Sequence, residues 1–397
     1  MLAGKEVVLG ITGSIAAYKG AEIASRLVQA GASVNVVLTE SAARFITPLT
    51  LESITSRKVF TGLWNNAPAT THITLAEKAD IVLIAPATAN IIARIAGGFA
   101  DDMLSCTVLA TRAPILVAPA MHTDMYENPA TQKNIERLRE LGFIIIEPEE
   151  GRLASGGYGR GRLADIDIIT GNVKLAAAKD GDLAGKKLVI TSGGTREPLD
   201  PVRYLGNRSS GKTGYFLAQA ARDRGASVRL ITTSEPVGET TGIDVERVET
   251  ARDMLSALNR ATENADCLIM AAAVADYRPA EAFTTKIKKS AGGMDLQLVS
   301  NTDILSQARG SFVRVGFAAE TGDVDKGARE KLSSKDLDLV VANDVSQPGA
   351  GFDADSNRVR LFFRNGKVED LELMPKSALA HRIIDAIQAI GFSDKNC

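Results

Sequence analysis

Only three histidines stand in this 397-residue chain, so each imidazole can be weighed singly. A free imidazole titrates near pH ~6.5 and moves protons at neutral pH. His72 sits in Thr71-His72-Ile73-Thr74-Leu75-Ala76, ahead of a helical stretch, and His122 closes Pro119-Ala120-Met121-His122 behind an apolar strand. Both fall on the edge of an α/β sheet where ligands bind. His381 lies on an amphipathic terminal helix, where a structural role is expected. Gly10-Ile-Thr-Gly13-Ser14 is a strand–helix turn of a second useful kind. Glycine admits a phosphate close to the backbone, and the helix start offers unpaired N–H groups. The full GxGxxG is missing, and the second strand ends on the hydroxyl of Thr39. A mononucleotide therefore fits better than NAD. Ala85-Pro86-Ala87-Thr88-Ala89-Asn90 supplies small side chains against which a flat ring can lie, with Thr88 and Asn90 as hydrogen-bonding candidates.

The second half holds a look-alike. Gly206-Asn207-Arg208-Ser209-Ser210-Gly211-Lys212-Thr213 matches the phosphate-loop pattern GxxxxGK[ST], and Asp276 ends an apolar run as a magnesium-binding carboxylate would. A phosphate loop must leave a buried strand directly. Here the charged, twice proline-broken stretch 196–203 intervenes, which argues against a P-loop-like nucleotide hydrolase. Lys286, heading Lys286-Ile287-Lys288-Lys289, is the better candidate for neutralising triphosphate charge.

The elements that must position these residues repeat. LAGKEVVLGITGS (2–14) is answered by LAGKKLVITSGGT (183–195), GASVNVVLTES (31–41) by GASVRLITTSE (225–235), and KADIVLIAPATAN (78–90) by NADCLIMAAAVAD (264–276). Short apolar runs alternating with helices imply parallel strands with right-handed crossovers. Strands are expected at 6–10, 33–38, 81–85, 115–118 and 143–146, with a helix over 14–30. The Gly-rich stretch 148–164 reads as a mobile flap, too rich in glycine for a regular element. A helix near 166–178 and a linker at 179–182 follow. Further strands are expected near 187–191, 227–232, 267–271, 313–317, 338–342 and 358–363, with a last helix over 376–390. The fold class is α/β: two Rossmann-like, doubly wound parallel-sheet domains in tandem, over 1–180 and 185–397.

Bulk properties exclude several classes. A formal charge of −2 argues against general nucleic-acid binding. No apolar run reaches the ~18 residues a membrane span needs. Cys106, Cys267 and Cys397 are odd in number and far apart, so neither a disulfide framework nor a zinc site follows, and a cytoplasmic location is expected.

GITGSIAAYK, THITLAEKADIVLIAPATANIIARIAGGFADDMLS and APAMHTDMY resemble the flavin-containing cysteine decarboxylases. TSGGTREPLDPVRYLGNRSSGKTG, AAAVADYRP, TKIKK, VGFAAET and VVANDVSQPGAGF resemble phosphopantothenate–cysteine ligase. In order and over essentially the whole chain, they resemble the bifunctional synthetase/decarboxylase family of coenzyme A synthesis. The resemblance implies CTP-dependent ligation of L-cysteine to 4'-phosphopantothenate through an acyl-cytidylate, with Mg2+. FMN-dependent decarboxylation to 4'-phosphopantetheine then follows. It implies FMN contacts at Gly13, Ser14, Thr39, Pro86, Ala87, Thr88 and Asn90, and a catalytic His72. Substrate contacts are implied at His122 and Met125. In the second half it implies Asn207 polarising the acyl intermediate, Lys286 on the triphosphate, Arg203 as an anion clamp and Asp276 on nucleotide or metal. Cytidine-nucleotide contacts are implied at Met270, Ala271, Ala272, Asn301, Thr302, Asp303, Ile304, Phe317, Lys331 and Lys335. Lys331 and Lys335, four apart on a helix, can share one face.

Two positions depart from the family pattern. His122 stands where asparagine is usual, and Ser155 stands where the flap usually carries a cysteine that completes the reductive step. A serine hydroxyl is a far weaker acid than a thiol of pKa ~8.5, so Tyr158 or water becomes a candidate proton source. The resemblance also implies a homo-oligomer, a dodecamer with flavin sites at subunit contacts. Rival readings are a flavin-binding regulator with an inactive ligase-like domain and a duplicated NAD(P) oxidoreductase. The Lys286, Asn207 and Asp276 set argues against the first, and the missing GxGxxG against the second.

Overall fold

The computed structural model describes residues 2–64, 68, 70–288, 294–308, 310–320, 323–344 and 354–392. The chain divides into two compact units, Met1–Lys179 and Asp180–Cys397.

In the first unit, β1 (Glu6–Ile11), β2 (Ser33–Leu38), β3 (Ile81–Ala87), β4 (Ile115–Pro119) and β5 (Ile144–Ile145) form a parallel sheet among the described residues, in the order β2-β1-β3-β4-β5. Every residue of β3 is buried, because helices cover both faces of its sheet. Alternate side chains serve opposite layers. Val7, Leu9 and Ile11 pack with Ile23 and Leu27 of helix Lys19–Gln29 and with Ile169 and Val173 of helix Ile166–Ala177. Val8, Val82 and Ile84 pack with Ile91, Ile92 and Ile95 of helix Ala89–Ala96. The strand order reverses between β1 and β3, so their carboxyl ends form the crevice where a ligand can sit.

Two expectations need correction here. The helix expected over 14–30 is a 3-10 turn, Ile15–Tyr18, followed by an α-helix from Lys19. The Gly-rich stretch is regular: β6 (Glu149–Arg152) and β7 (Tyr158–Arg162) form an antiparallel hairpin. Its glycines are compatible with strands for a steric reason. Gly156 and Gly157 fall in the turn, while the Thr123 side chain leaves no room for a Cβ on Gly159 and the Met121 carbonyl leaves none on Gly161.

The second unit contains β8 (Lys187–Ser192), β9 (Arg196–Pro198), β10 (Tyr204–Gly206), β11 (Ser227–Thr232), β12 (Ile243–Arg247), β13 (Cys267–Met270), β14 (Tyr277–Pro279), β15 (Leu298–Ser300), β16 (Val313–Glu320), β17 (Leu339–Asp344), β18 (Ser356–Phe363) and β19 (Val368–Pro375). Its main sheet runs β12-β11-β8-β13-β16-β17-β18-β19. It is parallel through β17; β18 and β19 are antiparallel, joined by a connection too short for a crossover. The edge strands β12 and β19 escaped the sequence reading because charged residues interrupt them, as edges exposed to pairing require. Small hairpins β9–β10 and β14–β15 escaped it as well.

The sequence repeat is a repeat of hydrogen bonds. Lys5 and Lys186 each donate a backbone N–H to the carbonyl of the leucine three residues before, Leu2 and Leu183, at 3.0 Å. The intervening Gly4 and Gly185 both stand at φ +78°, where a Cβ is strained. The Glu6 N–H donates to Asp80 and the Lys187 N–H to Asp266, both at 2.8 Å.

Candidate functional sites

At the carboxyl edge of the first sheet lies a cavity of about 810 Å³, lined by Gly13, Ser14, Lys19, Thr88, Ala89, His122, Met125, Arg152, Ser155 and Arg162 among others. Its volume suits a cofactor or metabolite. A buried hydroxyl, Thr12, fixes its floor: it donates to Pro86 O at 2.6 Å and accepts the Thr88 N–H at 3.0 Å. Thr88 in turn caps helix Ala89–Ala96 through the Ile91 N–H, and Ser14 caps the first helical turn through the Ala16 N–H. Two helix starts and three basic side chains thus border one cavity, an arrangement that suits an anionic group. A Cβ on Gly13 would lie 2.4 Å from Ser41 Cβ, so this crossing admits only glycine. His122 Nδ1 accepts the Asp124 N–H at 3.3 Å. In the neutral ring that leaves the proton on Nε2, a donor. Ser155 lies in the connection between β6 and β7.

The cavity does not gather every expected residue. The Thr39 hydroxyl donates to Ile11 O and accepts the Ala42 N–H, both at 3.3 Å, so it serves its own turn. Pro86 and Ala87 are buried beneath the cavity floor, and Asn90 is exposed on the helix that Thr88 caps. His72 opens helix Thr71–Lys78, outside the lining, and its Nδ1 is buried with no partner among the described residues. Buried polar atoms are normally hydrogen-bonded, so this nitrogen calls for a ligand, a water or another chain. Neither described thiol replaces the cysteine missing at Ser155. Burial, then Asp102 and Asp101, pushes Cys106 up, and burial holds Cys267 protonated far above the usual thiol range. Neither lines the cavity, and Cys397 lies outside the described residues. Sequence reasoning missed Thr12, Lys19, Arg152 and Arg162. Thr12 gives no local signal, its partner being 74 residues away.

The second cavity, about 570 Å³, lies at the corresponding edge of the second sheet. It gathers Asn207, Met270, Ala271, Ala272, Asp276, Asn301, Thr302, Asp303, Ile304, Phe317, Lys331 and Lys335. Two buried threonines fasten its floor: Thr191 accepts the Ala272 N–H at 3.2 Å and Thr195 the Ala275 N–H at 2.9 Å. Asn207 Nδ2 donates to Ala273 O and Val274 O, and Asn301 Nδ2 to Ala275 O. Lys331 Nζ donates to Phe317 O at 2.5 Å, and Lys335 pairs with Asp303. Lys212, noted from the sequence only within the phosphate-loop look-alike, also lines the cavity, as do Asn357 and Lys376, which were not singled out. Among the described residues no group of three His, Cys, Asp or Glu side chains could hold a metal ion; the exposed Asp276 shares the cavity lining with one other carboxylate, Asp303, which is paired with Lys335.

Arg203 and Lys286 lie outside this lining. The Arg203 guanidinium is committed to Asp200 at 2.6 Å and to Ile287 O at 2.7 Å. Asp200 also accepts the backbone N–H groups of Val202, Arg203 and Ile287. Burial alone would raise this carboxyl, but those N–H groups and the guanidinium outweigh it and hold the pKa at about 2. The pair therefore moors the irregular segment that presents the exposed Lys286; Lys289 lies outside the described residues. The phosphate-loop look-alike fails on geometry too. Gly206 ends β10, which pairs antiparallel with β9, so no core strand feeds the loop, and Lys212 is paired with Asp355 at 2.7 Å.

Duplicated α/β units, each with a cavity where its strands end, define a tandem Rossmann-like α/β protein. Residues 1–176 match the Flavoprotein family, and residues 183–390 the DNA/pantothenate metabolism flavoprotein C-terminal domain. The chain is 44% identical over 402 residues to the coenzyme A biosynthesis bifunctional protein CoaBC of Bacillus subtilis (strain 168), covering 98% of each. It is 44% identical over 397 residues to the protein of that name from Vibrio cholerae serotype O1, covering 97% of this chain and 98% of the relative. The Mycobacterium tuberculosis H37Rv protein is 43% identical over 402 residues, covering 96% of each. The chain belongs to the family of coenzyme A biosynthesis bifunctional proteins. No helix among the described residues is long and apolar enough to cross a membrane.

Proposed function

We propose that the chain joins L-cysteine to 4'-phosphopantothenate at the expense of CTP in residues 185–397, and decarboxylates the product to 4'-phosphopantetheine with FMN in residues 1–180, in the cytoplasm. The observation that carries this reading is the pair of unlike cavities at matching places of a duplicated fold. One is bordered by helix starts over small residues, the other by lysines over backbone carbonyls.

A carboxylate resists amines because oxide leaves poorly. Transfer of the CTP α-phosphate to the 4'-phosphopantothenate carboxylate releases pyrophosphate and gives a mixed anhydride. The cysteine amine then attacks its carbonyl, and CMP leaves with the C–O electron pair. Lys286 and the cavity lysines would offset phosphate charge, and Asn207 would hold the acyl group in line for attack. Asp276, at the lip, suits a magnesium ion that takes its other ligands from phosphates and water.

The first cavity fits FMN: the Gly13 crossing admits a close backbone approach, helix starts and Lys19 suit a phosphate, and Ala89 and Ala120 leave room for a ring. FMN would accept two electrons from the cysteinyl thiol, giving a thioaldehyde that can absorb the electrons of the breaking C–C bond, and return them to the enethiol after CO2 leaves. His122 Nε2–H would donate to the departing carboxylate, and His72 would move a proton. His72 lies outside the cavity lining of its own chain, with a buried nitrogen that has no partner among the described residues, which supports a homo-oligomer in which a second copy completes the site. The test is direct. Purified chain should show a flavin band, and pyrophosphate release should require CTP, 4'-phosphopantothenate and cysteine together. Release with ATP that ignores both metabolites would refute the reading.

A further inference from the structure

The hairpin β6–β7, which carries Ser155, is held by more than its own turn. Strand β7 lies against the segment Met121–Tyr126 that presents His122 and Met125 to the first cavity. A Cβ on Gly159 would meet Thr123 Oγ1 at 2.4 Å, and one on Gly161 would meet Met121 O at 2.4 Å. The Met121 N–H donates to Gly161 O at 2.9 Å. Between these two glycines, Arg160 Nη2 donates to Glu147 Oε2 at 2.9 Å, and its guanidinium carbon lies 5.6 Å from the centre of the Tyr126 ring. Glu147 also accepts from Tyr126 Oη at 2.8 Å and from the Arg139 guanidinium. Tyr126 is only 4% exposed; burial, then the Glu147 hydrogen bond, pushes its phenol up, so it stays a donor. One carboxylate thus joins the hairpin, the His122 segment and helix Pro129–Glu140. Glu147 and Arg160 do not line the cavity, and neither has a part in the chemistry above.

We propose that Glu147 and Arg160 are positioning residues that latch the hairpin onto the His122 segment and so set how far Arg152 and Ser155 cover the bound acyl-cysteine substrate. A half-exposed ion pair contributes little to overall stability. Here, though, its ends sit on different elements, so breaking it frees the hairpin as a body and leaves the sheet intact. Arginine is suited to the post because its planar fork meets a carboxylate and stacks on an aromatic face at once. The inference rests on the decarboxylase reading of the first cavity.

The test compares the parent chain with Glu147→Gln, Arg160→Gln, the double variant and Arg160→Lys. Phosphopantothenoylcysteine is supplied directly, and CTP-dependent ligation in the other unit serves as internal control. Each Gln variant should raise KM for decarboxylation about five- to tenfold with kcat nearly unchanged, the size of a coupling between contacting groups. The double variant should be no worse than either single one, because both break the same latch. Arg160→Lys should recover part of the loss, and tryptic cleavage after Arg152 should quicken in all three Gln variants. Additive effects, or faster cleavage at an unchanged KM, would overturn the positioning role, and unchanged cleavage would overturn the latch. A parent chain that never decarboxylates refutes the functional reading and the affinity role with it, while cleavage still decides whether the latch holds the hairpin.

Discussion

Thr12 shows how much one hydroxyl can carry. It is 2% exposed, and its oxygen both donates to Pro86 O and accepts the Thr88 N–H. Thr12→Val keeps the shape and the 3.3 Å bond from its own backbone N–H to Pro86 O, but it removes the shorter hydroxyl bond to that buried carbonyl and leaves the half-buried Thr88 N–H without its acceptor. The expected cost is about 1–3 kcal/mol, read as a lowered urea midpoint for the first unit with an unchanged slope. Ser155 sets a second expectation. A positioned general acid contributes roughly 10²–10⁴-fold, and a serine hydroxyl holds its proton too tightly at neutral pH to serve. Ser155→Cys should therefore speed the last reductive step by at least about tenfold. Rapid-quench analysis should show less enethiol and more saturated thiol; equal partitioning in parent and variant would show that the flap tip donates no proton.

Among the elements, the segment bearing Lys286 depends on Asp200. Its carboxyl is held at about 2 in the folded chain, against an ordinary value of 3.8. A depressed carboxyl stabilises fully above the unfolded value and loses that contribution as pH falls through the folded one. The mooring of Ile287 should accordingly hold at pH 5 and fail between about pH 4 and 2. Peptic cleavage within 280–288 should rise over that interval in the parent and be insensitive to pH across it in Asp200→Asn. At neutral pH the same variant should slow ligation on the order of tenfold or more, since a displaced cation loses its aim, with little effect on decarboxylation. The edge strands teach a related point. β12 and β19 carry charges that keep a sheet margin from pairing with another chain, and those charges hide them from a search for apolar runs.

For the molecule as a whole, the repeat of hydrogen bonds at Leu2–Asp80 and Leu183–Asp266 points to one ancestral unit used twice, with its cavity refitted. Under the proposed reading the two reactions share a free intermediate, a phosphorylated acid that leaves one cavity before entering the other. Mixing a His72→Asn chain with an Asn207→Ala chain should therefore restore conversion of 4'-phosphopantothenate to 4'-phosphopantetheine that neither achieves alone. A mixture as inactive as its components would require transfer confined to one chain.

Strands whose burial demands runs of apolar residues, β1 to β4, β8, β11 and β13, were legible from composition and spacing, as was the final helix Lys376–Ile390. The long motifs likewise carried most of the second cavity's lining, because its residues cluster in a few strand-end segments. What local sequence could not determine were contacts between distant residues: the Thr12–Pro86 bond, the commitment of Arg203 to Asp200 and Ile287, the hairpin within the Gly-rich stretch, and the position of His72 outside the cavity that holds His122. Periodicity reports which face of an element is buried. Only the closed fold decides which buried polar groups find each other, because that depends on loops whose ends meet across tens of residues.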